Sequence, residues 1–158
     1  MKQIFLIVAF VATFSVQNGF AQNTNNNGSK AGQLLDLYYE IKDALVKGNP
    51  ALAATKAEEF SKSAANVKDL PESDRKALLK DAAALSATKD LKEQRTSFAG
   101  FSEHMFALAQ SVKLSADPIY KIYCPMKKVN WLSKESAIKN PYYGSAMLTC
   151  GKVTETLK

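Results

Sequence analysis

Histidine and tryptophan each occur once in this chain, and cysteine occurs twice. So small a supply of imidazole and thiol leaves a zinc site of four Cys, His or carboxylate ligands poorly provided. No Cys-x-x-Cys-His stretch is present, which excludes the usual c-type haem attachment. A glycine-rich phosphate loop is absent too, and with it the main signature of nucleotide-dependent chemistry. Catalysis has equally thin support. One histidine and two cysteines imitate a Cys-His dyad, but nothing around them resembles a protease signature. Glu58-Glu59 and the acids from Asp69 to Asp74 read as solvated helix-face and turn charges, not as a paired acid and base. The expectation is a protein that is not an enzyme.

What is present begins with an export signal over residues 1–21. Lys2 supplies a positive start, and Ile4 to Phe14 is an apolar run broken only by Thr13. Gly19 and Ala21 are small residues at the −3 and −1 positions of a cleavage site after Ala21. The run is too short for a membrane span. No cysteine stands close behind it to become a new N-terminus, which argues against a lipid anchor. Export places the chain in an oxidising compartment, where paired thiols tend to become a disulfide. Export also makes nucleic acid a poor partner, despite a pI near 9.2. The Asn-rich segment that follows, within residues 22–31, has nothing to bury and reads as a disordered leader.

Charge is unevenly placed. Residues 30–112 carry 12 basic and 12 acidic side chains, whereas residues 113–158 carry eight lysines against three acids. A basic cap on a neutral body serves solubility, or meets an acidic partner surface or anionic lipid heads.

From residue 32 to 114 the period is helical. Leu34, Leu37, Tyr38, Ile41 and Leu45 form one apolar stripe. Gly48-Asn49-Pro50 ends that helix and starts the next, with Asn49 as cap and Pro50 in the first turn. The second helix would bury Ala53, Ala57, Phe60, Ala64 and Val67. A third opens after Pro71, with Ser73 as its candidate cap, and buries Leu78, Leu79, Ala82 and Leu85. Asp90 caps a fourth, in which Leu91, Phe98, Met105 and Val112 recur at heptad spacing beside Phe101 and Leu108. Short links between amphipathic helices predict an all-α fold, an antiparallel four-helix bundle.

Residues 115–158 change character and predict a small irregular cap packed on the bundle as part of the same domain. Ile119 to Cys124 alternates like a short strand. Asn130-Trp131-Leu132-Ser133 reads as the lead into a helical turn over Lys134 to Ile138. Asn140-Pro141-Tyr142-Tyr143-Gly144 is a turn, and Met147 to Val153 a second short strand.

Both cysteines lie in this cap, each with a methionine nearby: Cys124 with Met126, and Cys150 with Met147. Two readings stand side by side. A Cys124–Cys150 disulfide would close a 26-residue separation and stabilise the fold by ~3.5 kcal/mol on the chain-entropy argument. Alternatively, two thiolates and two thioethers form a soft donor set suited to Cu(I). Met105 belongs to the heptad seam and reads as core. His104 lies one residue off that seam and could complete a metal site if the cap folds back beside the fourth helix.

The stretches "QRTSFAGFSEHMFAL", "YCPM", "NWLS" and "IKNPYYGSAMLTCG" resemble a secreted family of unknown function in Gram-negative bacteria. Its domain occurs alone behind a signal peptide, or fused to the C-terminus of periplasmic adaptor subunits of copper/silver-type efflux pumps. The resemblance implies a periplasmic protein that handles metal, copper cargo included, with an efflux adaptor or pump component as partner. It bears on Cys124, Met126, Met147 and Cys150 as sulfur positions, and on Asn140, Pro141, Tyr142 and Gly144 as the turn. In this reading Tyr142, Tyr143 and Trp131 pack the cap and limit water access. The competing reading is a non-catalytic interaction module held by the disulfide. One consequence is direct: protein recovered after export starts at Gln22 by intact mass. An uncleaved N-terminus in the exported protein would refute the assignment.

Overall fold

Local capping sets the helix starts. In the computed structural model, which describes residues 29–158, α1 spans Lys30–Val46, α2 Pro50–Ala65, α3 Glu72–Ser86 and α4 Leu91–Ser111. The Ser29 hydroxyl accepts from Gly32 N–H, the Asn49 amide oxygen from Leu52 N–H, and the Asp90 carboxylate from Glu93 N–H. Each bond satisfies one of the N–H groups that a first turn leaves without a partner. Because Ser29 caps α1, the helix takes in Lys30 and Ala31, which the sequence pattern assigns to the leader. The export signal and the leader up to residue 28 lie outside the described residues. Ser73 is not the cap of α3. The helix already starts at Glu72, Pro71 holds the cap position without a side-chain bond, and the Ser73 hydroxyl turns to Asp74.

The helices pack in chain order, α1 on α2, α2 on α3 and α3 on α4, through short connections. The expected seam is the core: Leu34, Tyr38, Ile41, Leu45, Phe60, Leu78, Leu85, Phe98, Phe101, Met105 and Leu108 have no exposed surface. Leu37, Leu79, Leu91 and Val112 are only partly covered and flank it. Fully buried Ala53, Ala57 and Ala64 on α2 and Ala82 on α3 keep side-chain bulk low where those helices meet. Gln94, also fully buried, donates its amide to the carbonyls of Pro50, Leu85 and Thr88 and so ties the start of α2 to the end of α3.

The fold is mostly helical, but the cap is a sheet and so departs from an all-α class. Beyond Leu114 the chain builds an antiparallel sheet from β1 (Ile119–Cys124), β2 (Val129–Ser133) and β3 (Lys152–Leu157), in the order β2-β1-β3. Three strands form where two were expected, and two assignments change. Asn130 to Ser133 is strand, not a lead-in, because residues 125–128 turn the chain back and place Trp131 opposite Ile122. Lys128 closes that turn at φ +57°, donating its N–H to the Cys124 carbonyl. With the hairpin made, residues 134–137 bend, and no helical turn forms over 134–138. Met147 to Val153 is likewise not one strand. Gly144–Met147 is a 3-10 turn, Cys150 N–H folds back onto the Met147 carbonyl, and β3 begins only at Lys152.

The sheet is docked on α4, which therefore buries a second face that a four-helix seam alone does not call for: Ser102 and Phe106 are covered. At the junction the Tyr38 hydroxyl bonds Ser102 Oγ at 2.8 Å and accepts the Leu132 N–H of β2 at 2.9 Å. That N–H lies on the side of β2 away from β1, so the phenol occupies a sheet edge that would otherwise be unpaired. Burial holds the Tyr38 phenol well above its ordinary pKa, so it remains a neutral hydroxyl able to do this. On the other side of the cap, Gly144 adopts φ +57°, and a Cβ there would stand 2.6 Å from Arg95 Nη2 and 2.9 Å from the Val46 carbonyl. This close approach lets Arg95 donate to the Leu45 carbonyl at the end of α1, a favourable place for a cation. Among the described residues, no helix is long and apolar enough to cross a membrane.

Two substitutions test this docking. Tyr38→Phe strands the buried Leu132 N–H and should lower unfolding free energy by about 2 kcal/mol in urea titrations. Gly144→Ala adds backbone strain to a steric clash and should cost about 2–3 kcal/mol by the same measurement. Stabilities equal to the wild type would refute the junction and the close approach respectively.

Candidate sulfur site at the end of the sheet

Cys124 is the last residue of β1 and is fully buried. In the β1–β3 register Tyr123 faces Lys152, so the residues just ahead of β3 run beside the end of β1. Cys150 is among them and is half-buried. Gly151, next in the chain, crosses the Trp131 indole so closely that a Cβ would lie 2.7 Å from its ring.

One side chain joins the two cysteines. Asn140 is fully buried, and its Nδ2 donates to Cys124 Sγ at 3.3 Å and to the Cys150 carbonyl at 2.7 Å. Its Oδ1 accepts the N–H groups of Tyr142 at 2.8 Å and Tyr143 at 3.3 Å. The backbone completes the set, with Asn140 N–H donating to Leu148 O and Gly144 N–H donating to Asn140 O. Both amide hydrogens and both acceptor positions are thus used, as a fully buried Asn requires. Tyr142 anchors the loop from outside: its hydroxyl donates to the Asn130 carbonyl, and its ring packs against Phe98 and edge-on against Trp131.

The methionines differ in setting. Met147 ends the 3-10 turn, is partly buried, and accepts the Cys150 N–H at its carbonyl, 3.1 Å away. Met126 sits on the β1–β2 turn two residues after Cys124 and is 61% exposed. His104 is engaged elsewhere. Its Nδ1 pairs with Asp81 of α3, whereas the neighbouring Glu103 accepts from Asn130 on the sheet side. Met105 is core, as its heptad position requires. Lys127, Lys128 and Lys152 surround the cysteine end of the sheet and are exposed, with Lys127 5.8 Å from the Tyr143 ring centre. Of the cap's acids, Glu135 pairs with Lys139, and Glu155 lies opposite Lys121 in the register.

Both cysteines are free thiols, and the disulfide of the competing reading is not formed in this structure. Among the described residues, no three His, Cys, Asp or Glu side chains come together as a metal cage. A zinc-type set is therefore not assembled from those residues. What does meet at Asn140 is the Cys124 sulfur and the Cys150 backbone carbonyl. The part played by Asn140 goes beyond its place in the Asn-Pro turn. Its Asx bond to Tyr142 N–H is a local feature of such turns, but its contacts with Cys124 and Cys150 arise only once the cap is folded.

Comparison with known proteins bears on the helices. The pattern of the family described as "Protein of unknown function (DUF3347)" matches residues 34–117. The match takes in most of α1, all of α2 to α4 and the link to the sheet, and ends before Cys124. No curated protein and no solved structure matches the chain. With the pattern present over more than half its length, the chain belongs to the DUF3347 family of proteins of unknown function.

Proposed function

We propose that this protein is a soluble periplasmic carrier or buffer of Cu(I), or of a soft ion like it, serving metal efflux. The observation that supports the reading is the meeting of Cys124 and Cys150 at one buried amide. Cys124 and Cys150 supply the two thiolates. Met147, within the same turn as Cys150, supplies a thioether, and exposed Met126 is the first sulfur an incoming ion meets. Soft ions accept such donors without a carboxylate. Trp131 and Tyr142 wall off one side of the site, and low water access favours holding Cu(I). The lysines around the rim give the docking face for an acidic surface on an efflux adaptor or pump component. His104 stays with Asp81 and is not a ligand in this account.

A second reading uses the same meeting of segments. In an oxidising compartment the two thiols form a disulfide, and the protein is an interaction module without metal. Alkylation under denaturing conditions without reductant separates them. Two labels by intact mass identify the dithiol, and none identifies the disulfide.

For the metal reading, reduced protein should take up about one Cu(I) per chain against a competing chelator. Cys124→Ser combined with Cys150→Ser should abolish uptake, and His104→Ala should leave it intact. Uptake that survives the double substitution would overturn the site.

A further inference from the structure

The two hydrogens of the Asn140 amide divide between the cysteines, one to the sulfur of Cys124 and one to the carbonyl of Cys150. This division has a chemical consequence at the sulfur. A thiolate bound to a metal keeps substantial negative charge and is a better hydrogen-bond acceptor than a thiol. A donor already fixed at the sulfur stabilises that charge without having to be ordered when metal arrives. The second hydrogen holds the Cys150 backbone at the same place, so a single group governs both the charge on one ligand and the position of the other.

We infer that Asn140 is the positioning residue of the sulfur site, tuning Cys124 and placing Cys150 for a soft metal ion through its side-chain amide. The inference rests on the metal-binding reading above and names the group that makes the site work. Asn140 is suited to this role because, among the described residues, its NH2 bonds only to the two cysteines. It is fully buried, its Oδ1 is held by the N–H groups of Tyr142 and Tyr143, and its own backbone is tied to Leu148 and Gly144. The orientation of the amide is therefore set by the loop, with the NH2 directed toward the cysteines. Among the described residues, it is the side chain that hydrogen-bonds to both cysteines.

Asn140→Asp separates the two duties of the side chain. The carboxylate keeps an acceptor for Tyr142 and Tyr143, but loses both donors and puts a negative charge beside Cys124. The purified full chain, reduced, is titrated with Cu(I) against a chelator. Asn140→Asp should weaken binding about 10–100-fold and shift the sulfur-to-copper charge-transfer band in the ultraviolet. Tyr38→Phe removes the phenol that docks β2 on the helices and loosens the cap without touching the amide. It should keep wild-type affinity and the wild-type band. In the wild type, the Asn140 side-chain amide proton facing Cys124 should move downfield in 15N-resolved NMR when metal binds, a readout that needs no variant to fold. Wild-type affinity and spectrum in Asn140→Asp, equal losses in Tyr38→Phe, or an unmoved amide signal would each overturn the inference. Failure of the wild type to bind copper at all would instead remove the site itself, and this role with it.

Discussion

Asn140 can be buried only if the loop it begins folds back to the end of β1. A side-chain amide taken from water without partners destabilises a fold by about 1–3 kcal/mol for each group left unpaired. Here every group is paired, and each partner belongs to a different part of the cap: Cys124 of β1, Cys150 ahead of β3, and Tyr142 and Tyr143 in between. The path of residues 140–150, the 3-10 turn and the late start of β3 all follow from satisfying that one amide. Bringing the cysteines together is a by-product of the same requirement, and it is where chemistry enters.

The cap in turn depends on the helices. Three short strands make too little core to stand alone. Trp131 and Leu132 of β2 are covered, and Tyr38 of α1 and Ser102 of α4 meet β2 through one phenol. β2 is thereby shielded on its outer edge, while β3, exposed over most of its length, stays at the open side of the sheet. The shielded edge lies against the bundle, and Lys127, Lys128 and Lys152 are exposed around the cysteine end of the sheet. Such an arrangement fixes Cys124 at the end of a strand and leaves Met126 in contact with solvent.

Much of this was readable from residue order, and the exceptions have physical causes. The caps Asn49 and Asp90, Pro50 in the first turn of α2, and the buried seam from Leu34 to Leu108 follow from local chemistry and period. The hairpin β1–β2 was hidden because its turn lacks the usual glycine or asparagine. Lys128 takes the left-handed position instead. Without that turn, Asn130 to Ser133 does not look like a returning strand. The second buried face of α4 was not visible in a heptad count, since Ser102 and Gln94 are polar and are buried by tertiary partners. For the site, the Cys-Pro-Met and Met-Leu-Thr-Cys stretches mark two segments in the sequence, and the structure brings Cys124 and the Cys150 backbone to one amide. That His104 would turn to Asp81, and that Asn140 would hold both cysteines, depended on how α3, α4 and the cap meet in space.

The account's central claim is that a soft ion is held by sulfur alone at the meeting of Cys124 and Cys150. X-ray absorption at the copper edge of the loaded, reduced protein examines it most directly. The account predicts a first shell made only of sulfur. A shell containing imidazole nitrogen, or nitrogen and oxygen without sulfur, would contradict it.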